Sequence, residues 1–124
     1  MGKFVVKNTK TGVKFDLKAG NGEVIATSEV YTALKNCLNG VESVRKNSQV
    51  ALVEDQTQEG YEAKKCPKFQ VYVDKAGEFR FRLLATNGQN VCHSEGYTKI
   101  ESCYNGIKSV INNAADAPVE LPEE

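Results

Sequence analysis

The sequence predicts an α+β fold: one mainly antiparallel sheet built from two tandem units, helices on one face, with approximate two-fold symmetry. Three observations carry this. Residues 15–55 and 81–121 align without a gap at an offset of 66, and fifteen positions between Phe15 and Asn47 are identical. The apolar period switches from 2 to 3.6 at the same place in each copy. Finally, a chain of 124 residues buries roughly two-thirds of its unfolded surface, whereas about fifty residues alone would be marginal. Sharing one core is the economical solution, so 1–55 and 68–121 form one structural unit joined by a linker at 56–67.

Each copy reads as three strands, a helix and a short final strand. Lys3–Asn8 places Phe4 and Val6 opposite Val5 and Lys7, and Val13–Ala19 places Phe15, Leu17 and Ala19 opposite Lys14, Asp16 and Lys18. Asn21-Gly22 is the strongest short hairpin signal and predicts a type I′ turn, with positive φ at both residues. Glu23–Thr27 is the third strand. Copy two repeats the pattern as Lys68–Asp74, Glu78–Ala85, Asn87-Gly88 and Gln89–His93. Upstream the offset is 65 (Phe4/Phe69, Val6/Val71, Gly12/Gly77), so one residue was gained beside Gly77.

Helical stripes follow: Leu34, Cys37, Val41 and Val44, then Ile100, Cys103, Ile107 and Val110. Thr32 and Thr98 stand where N-caps belong, and Thr98 with Glu101 spells a capping box. Asn47 and Asn113 suit left-handed C-terminal caps. Gly40 and Gly106 inside the helices predict close backbone approach. Val50–Glu54 and Asp116–Leu121 offer short final strands, the second interrupted by Pro118. The segment Asp55–Lys65 is polar and predicts a mobile tether, and Pro122-Glu123-Glu124 should fray.

Composition excludes more than it selects. Lysine plus arginine equal aspartate plus glutamate at 16 each, giving no electrostatic case for nucleic acid or an anionic membrane. No apolar run reaches transmembrane length and no signal-peptide core opens the chain, which predicts a cytoplasmic protein. Four cysteines at this spacing predict free thiols.

The string from Gly77 to Thr98, GEFRFRLLATNGQNVCHSEGYT, continues with CYNGIKSV from Cys103. The first copy matches through KFDLKAGNGEVIATSEVYT from Lys14 and NGVESV from Asn39. On these doubled motifs the chain resembles the YegP-like family of small bacterial proteins. The resemblance implies β-β-β-α-β repeats that exchange their terminal strands within one sheet. It also implies that single-repeat members dimerise, while a two-repeat chain is a monomer acting as its own pseudo-dimer. It implies no activity and supplies no catalytic residue. Copy one departs from the pattern at Val30, where copy two has Gly96, and at Lys14-Phe15-Asp16, where copy two has Arg80-Phe81-Arg82.

Candidate chemistry is sparse. Ser28, Glu29, Tyr31 and Thr32, repeated as Ser94, Glu95, Tyr97 and Thr98, predict a structural strand-to-helix corner whose polar groups satisfy the helix start. His93 is the single histidine and faces away from neighbouring Cys92, so no metal, cofactor or Cys–His pair is expected. Alternation marks an open sheet face carrying Lys14, Lys18, Tyr72, Arg80 and Arg82. That surface fits a protein or small-anion partner better than RNA, because Tyr72 is its single aromatic. A non-enzymatic binding or accessory role is the leading expectation. An enzyme using Cys103 or the corners at the seam, or a purely structural module, is the alternative.

Overall fold

Alternating apolar residues and tight turns produce the strands where the pattern places them. The computed structural model describes residues 2–122, so Glu123 and Glu124 of the expected frayed tail lie outside the described residues. The strands are β1 (Lys3–Asn8), β2 (Val13–Lys18), β3 (Val24–Thr27), β4 (Leu52–Asp55), β5 (Lys68–Val73), β6 (Phe79–Leu84), β7 (Asn90–His93) and β8 (Val119–Glu120); the helices are α1 (Leu34–Ser48) and α2 (Ile100–Ala114). Together the strands form one eight-stranded sheet ordered β4-β5-β6-β7-β3-β2-β1-β8.

The terminal strands are exchanged. β4, from copy one, pairs in parallel with β5 of copy two, and β8 returns to pair in parallel with β1. The seam between the halves is the antiparallel contact of β3 with β7, where Thr27 faces His93. The core sits beneath the helices and is itself doubled. Phe4 meets Phe15 edge-on at 5.8 Å and Phe69 meets Phe81 at 6.0 Å, with Leu17, Leu83, Cys37, Cys103, Val44 and Val110 fully buried around them. Four such aromatic rings supply the largest apolar burial available to a chain with no tryptophan.

Several local expectations are corrected. The Asn-Gly turns are three-residue loops closed by Ala19–Glu23 and Ala85–Gln89. Only Gly22 and Gly88 have positive φ, at 85° and 84°, so these are type I turns with a glycine bulge. The residue gained in copy two builds the same loop between β5 and β6, with Gly77 at φ 84°. The N-caps are Ala33 and Lys99, neither with a side-chain cap. Tyr31 and Tyr97 are still paired to Val13 and Phe79 as β-bridges, which keeps the chain extended past both threonines; the box at Thr98 and Glu101 does not form. Asn47 and Asn113 stay helical and donate back to the carbonyls of Ser43 and Ser109 at 2.8 and 2.7 Å. Leu34, expected in the apolar stripe, is 40% exposed.

The linker does not hang free. Lys64 N–H donates to the Glu54 carboxylate at 2.8 Å, Gln56 N–H donates to the Val71 carbonyl at 2.8 Å, and Thr57 N–H donates to the Asp55 carboxylate at 2.9 Å. The helices are also cross-tied, since Arg45 of α1 and Gln49 just after it donate to the Ala114 and Ile111 carbonyls near the end of α2. Those contacts satisfy carbonyls that a helix end leaves without intrahelical partners.

Candidate functional site

Because side chains alternate across a strand, successive registers place one residue per strand in a single line over the open face. From β4 that line runs Glu54, Gln70, Arg82 to His93 on β7. Beyond the seam it continues through Thr27 and Asp16 to Val5 and Glu120.

The second-copy half is anchored by Glu54, which is 2% exposed. Its carboxylate accepts from Lys68 Nζ at 2.7 Å, Gln56 at 2.7 Å, Gln70 at 2.8 Å and Lys64 N–H. Burial pushes this carboxyl up, but those donors outweigh it and hold it at about 2. Gln70, thus oriented, accepts from Arg82 Nε at 2.7 Å, and the Arg82 guanidinium lies 4.5 Å over the Tyr72 ring. Amide and ring fix the guanidinium plane, and its outer nitrogens have no hydrogen-bond partner among the described residues.

The first-copy half reverses the charge. Asp16, which strand alternation places on the open face with Lys14 and Lys18, is 4% exposed. Lys7 Nζ lies 2.7 Å and Lys14 Nζ 3.7 Å from its oxygens, and Thr27 Oγ1 donates to it at 2.6 Å. These long side chains fold over the carboxylate, which is why strand alternation alone misjudges its exposure. Burial raises the Asp16 carboxyl, while Lys7, Thr27 and the Lys14 charge bring it below the ordinary value.

Where the halves meet, Lys14, Asp16, Thr27, His93 and Glu95 line a cleft of about 180 Å³. Burial pushes the His93 imidazole below its ordinary value; Glu29 opposes this, and Lys14 and Arg80 add to it. On β7, Asn90 has a buried Oδ1 with no partner among the described residues. Of the residues singled out in the sequence, Tyr72, Arg80 and Arg82 are brought together, with Arg80 facing Tyr72 across β5–β6. Arg80 is committed elsewhere, its Nε 2.5 Å from Asp74. Lys14 joins the cleft. Lys18 sits at the end of β2 opposite Lys3 and Val24, apart from the cluster.

The corners work differently from the expected helix caps. Ser28 Oγ accepts from Phe15 N–H at 2.9 Å and donates to the Glu29 carbonyl at 2.8 Å, and Ser94 does the same with Phe81 and Glu95. The serine therefore replaces a strand partner rather than capping a helix. Glu29, Thr32, Glu95 and Thr98 are exposed. Tyr31 stacks on Phe15 at 6.4 Å, and its hydroxyl presses on Gly40, as that of Tyr97 presses on Gly106. The approach that the helical glycines permit is thus by a tyrosine ring, not by backbone. Burial raises the thiols, Cys103 to about 11 and Cys92 to about 12. Among the described residues no group of three or more histidine, cysteine or acidic side chains gathers as a metal site, and no helix is long and apolar enough to cross a membrane.

Sequence reasoning missed Glu54 and Asp16. The repeat held a signal for the former, since Glu54 and Glu120 are equivalent at the same offset. No pattern signals the latter, because its burial depends on lysines from two strands.

The fold and its doubled corners define a tandem β-β-β-α-β protein in which two repeats complete one another's half-sheets. Two segments, residues 9–55 and 74–120, match the family described as Domain of unknown function (DUF1508). The chain belongs to this family, which includes the UPF0339 and YegP proteins. It is 38% identical over 119 residues to a UPF0339 protein of Bordetella pertussis, covering 96% of this chain and 94% of that one. A UPF0339 protein of Methanosarcina acetivorans is 50% identical over 56 residues, 45% of this chain but 97% of that one, so that relative has the length of one repeat. The solution structure of a UPF0339 protein from Shewanella oneidensis superposes with a TM-score of 0.78 at 33% identity, covering 97% of this chain and 90% of that one. That of E. coli YegP, a protein of unknown function, gives 0.78 at 31% identity, covering 99% and 95%.

Proposed function

We propose that the chain is a non-enzymatic binding or accessory protein that holds an oxyanion, a carboxylate or a phosphate, on the open sheet face beside the seam. The observation that carries this reading is Arg82. Lys7, Lys14, Lys68 and Arg80 each have a carboxylate within 4 Å, whereas Arg82 is held by Gln70 and Tyr72 and has none among the described residues. A guanidinium already fixed in one plane gives up little freedom when it takes an oxyanion through two parallel hydrogen bonds. His93 stands directly across β6–β7 from it and adds a charge when protonated, with Lys14 at the far side of the cleft. Tyr72 is the platform; Arg80 and Lys18 add field at longer range. The partner is a small anion or an acidic protein segment, with no role for nucleic acid or membrane, and the chain acts as a monomeric pseudo-dimer. Four free thiols support a reducing, cytoplasmic setting.

Titration with inorganic phosphate and with a glutamate-rich peptide, followed by NMR, separates the two sources of the oxyanion. Expected are shifts centred on Arg82 and His93, lost in Arg82→Gln and growing as pH falls through the His93 pKa. Unchanged affinity in Arg82→Gln would overturn the reading.

A further inference from the structure

On the helical side of the sheet, each helix leaves a groove against the hairpin of the other copy. One groove, about 260 Å³, lies between α2 and the β2–β3 hairpin and is lined by Asn21, Tyr97, Asn105, Gly106 and Ser109. Its counterpart, about 170 Å³, lies between α1 and the β6–β7 hairpin and is lined by Asn87, Tyr31, Asn39, Gly40 and Ser43. Each residue of one set is the repeat equivalent of its counterpart in the other. Polar identities scattered over some twenty positions of each copy therefore converge, across the copies, on two matching surfaces.

Not all of this polarity is used by the fold. The hydroxyls of Ser43 and Ser109 accept from Asn47 and Asn113, and Asn21 and Asn87 hold their own turns through Oδ1 at 3.0 Å. The amides of Asn39 and Asn105 and the hydroxyls of Tyr31 and Tyr97 have no hydrogen-bond partner among the described residues, and none is sealed from solvent. The phenols are also seated deliberately. A Cβ at Gly106 would lie 2.6 Å from the Tyr97 hydroxyl, so glycine is what lets that hydroxyl lie on the groove floor. No cation lines either groove beside its tyrosine, although past Asn39 and Ser43 the α1 groove continues to Glu42 and Lys46. The one acidic residue beside the tyrosines, Glu23 next to Asn21, is Gln89 in the other copy.

We propose that the two grooves are paired sites for a neutral, hydroxyl-rich ligand: one sugar ring each, from a glycan whose unit repeats. An asparagine amide offers donor and acceptor side by side and a tyrosine hydroxyl offers both, which matches adjacent ring hydroxyls. Beside Tyr31 and Tyr97 no cation stands ready for the oxyanion placed on the opposite face. The pockets beside the two tyrosines, about 260 and 170 Å³, fall below the ~300 Å³ at which pockets begin to enclose drug-sized ligands, which fits one ring; on the α1 side a further space of about 380 Å³ adjoins. Two equivalent sites on one body suit a ligand whose unit repeats, since the second contact is made at high effective concentration.

The test follows the side-chain amide signals of Asn21, Asn39, Asn87 and Asn105 in nitrogen–proton NMR spectra. Maltotriose, chitotriose and an uncharged peptide amide are titrated separately. A trisaccharide should shift both asparagine pairs. Asn39→Ala, at an exposed position, should silence the α1 groove and leave the Asn21 and Asn105 signals responding. Tyr97→Phe keeps the ring packing and should weaken the other groove severalfold. Silence with both trisaccharides, a response to the peptide amide alone, or shifts confined to Arg82 and His93 would each overturn the proposal.

Discussion

In the first copy the centre of the open face is Asp16, drawn between Lys7 and Lys14; in the second the equivalent position is Arg82, resting on Tyr72 and bound to Gln70. In the buried core beneath the sheet no such reversal of charge exists. Phe15/Phe81, Leu17/Leu83, Cys37/Cys103 and Val44/Val110 are identical pairs, all fully buried. Packing against helices tolerates few side-chain shapes, and each half-sheet must accept the other's terminal strand, so the core keeps its symmetry. The open face is bound by neither constraint. One half has become a buried carboxylate ringed by lysines, the other an oriented guanidinium, and the fold's two-fold axis relates opposite charges.

The largest expected difference lies at the sheet edges. Glu54 and Glu120 are repeat equivalents, yet Glu54 is buried among four donors while Glu120 is exposed and paired with Lys3 alone. Glu54→Gln should cost about 3 kcal/mol, as for breaking a buried ion pair. Glu120→Gln, at an exposed surface pair, should leave stability nearly unchanged. Chemical denaturation of the two variants measures both, and equal losses would break the comparison. The folded carboxyl of Glu54 sits at about 2 against an ordinary 4.5. Its stabilisation is therefore complete above pH 4.5 and is lost as pH falls toward 2. Glu54→Gln should flatten that part of the acid limb.

Next come the facing centres. Asp16→Asn leaves Lys7 and Lys14 beside a neutral group and should cost about 2 kcal/mol, the usual worth of a charged hydrogen bond. Arg82→Gln removes a cation–π contact between half-buried residues and should cost about 1 kcal/mol. The first-copy centre is thereby read as structural and the second as available. Comparable losses at the two positions would mean that Arg82 is also built into the fold.

The identical side of the molecule should respond identically. An alanine in a helix interior ordinarily gains about 1 kcal/mol over glycine. At Gly40 and Gly106 the new Cβ would meet Tyr31 and Tyr97, with Phe15 and Phe81 at 3.1 and 2.9 Å behind. Gly40→Ala and Gly106→Ala should each lose about 1–2 kcal/mol through overpacking. Thermal melts should show the two losses matching within error.

Most of the architecture was legible because duplication constrains it. An element that appears twice, with Asn21-Gly22 and Asn87-Gly88 or with Val44 and Val110 in register, must fold in one way that serves both copies. The exchange of β4 and β8 followed from the family resemblance and not from periodicity. Local geometry was less legible. Thr32 and Thr98 have the chemistry of N-caps, but the bridges of Tyr31 to Val13 and Tyr97 to Phe79 hold the chain extended beyond them. Asp16 and Glu54 look like ordinary strand polar residues, and their burial comes from lysines and amides on neighbouring strands. The grooves could not be read at all without the fold, because Tyr97 and Asn21 meet only when one copy's helix lies against the other's hairpin.

The smallest effect belongs to the seam itself, where Thr27 of one copy faces His93 of the other. Burial holds the folded His93 imidazole below the 6.5 of an ordinary histidine. Between these two values the unfolded chain binds more protons than the folded one, so stability falls as pH drops from 6.5 to the folded pKa and levels off below it. His93→Thr, which makes the seam pair identical, should remove that step and leave stability above pH 7 nearly unchanged. Denaturation midpoints at pH 5 and pH 7.5, compared between the two proteins, measure it. A step that persists in His93→Thr would assign the titration to another group. Its loss would identify His93 as the group that protonates beside Arg82, in the row of the sheet where copy two carries Arg82 in place of Asp16.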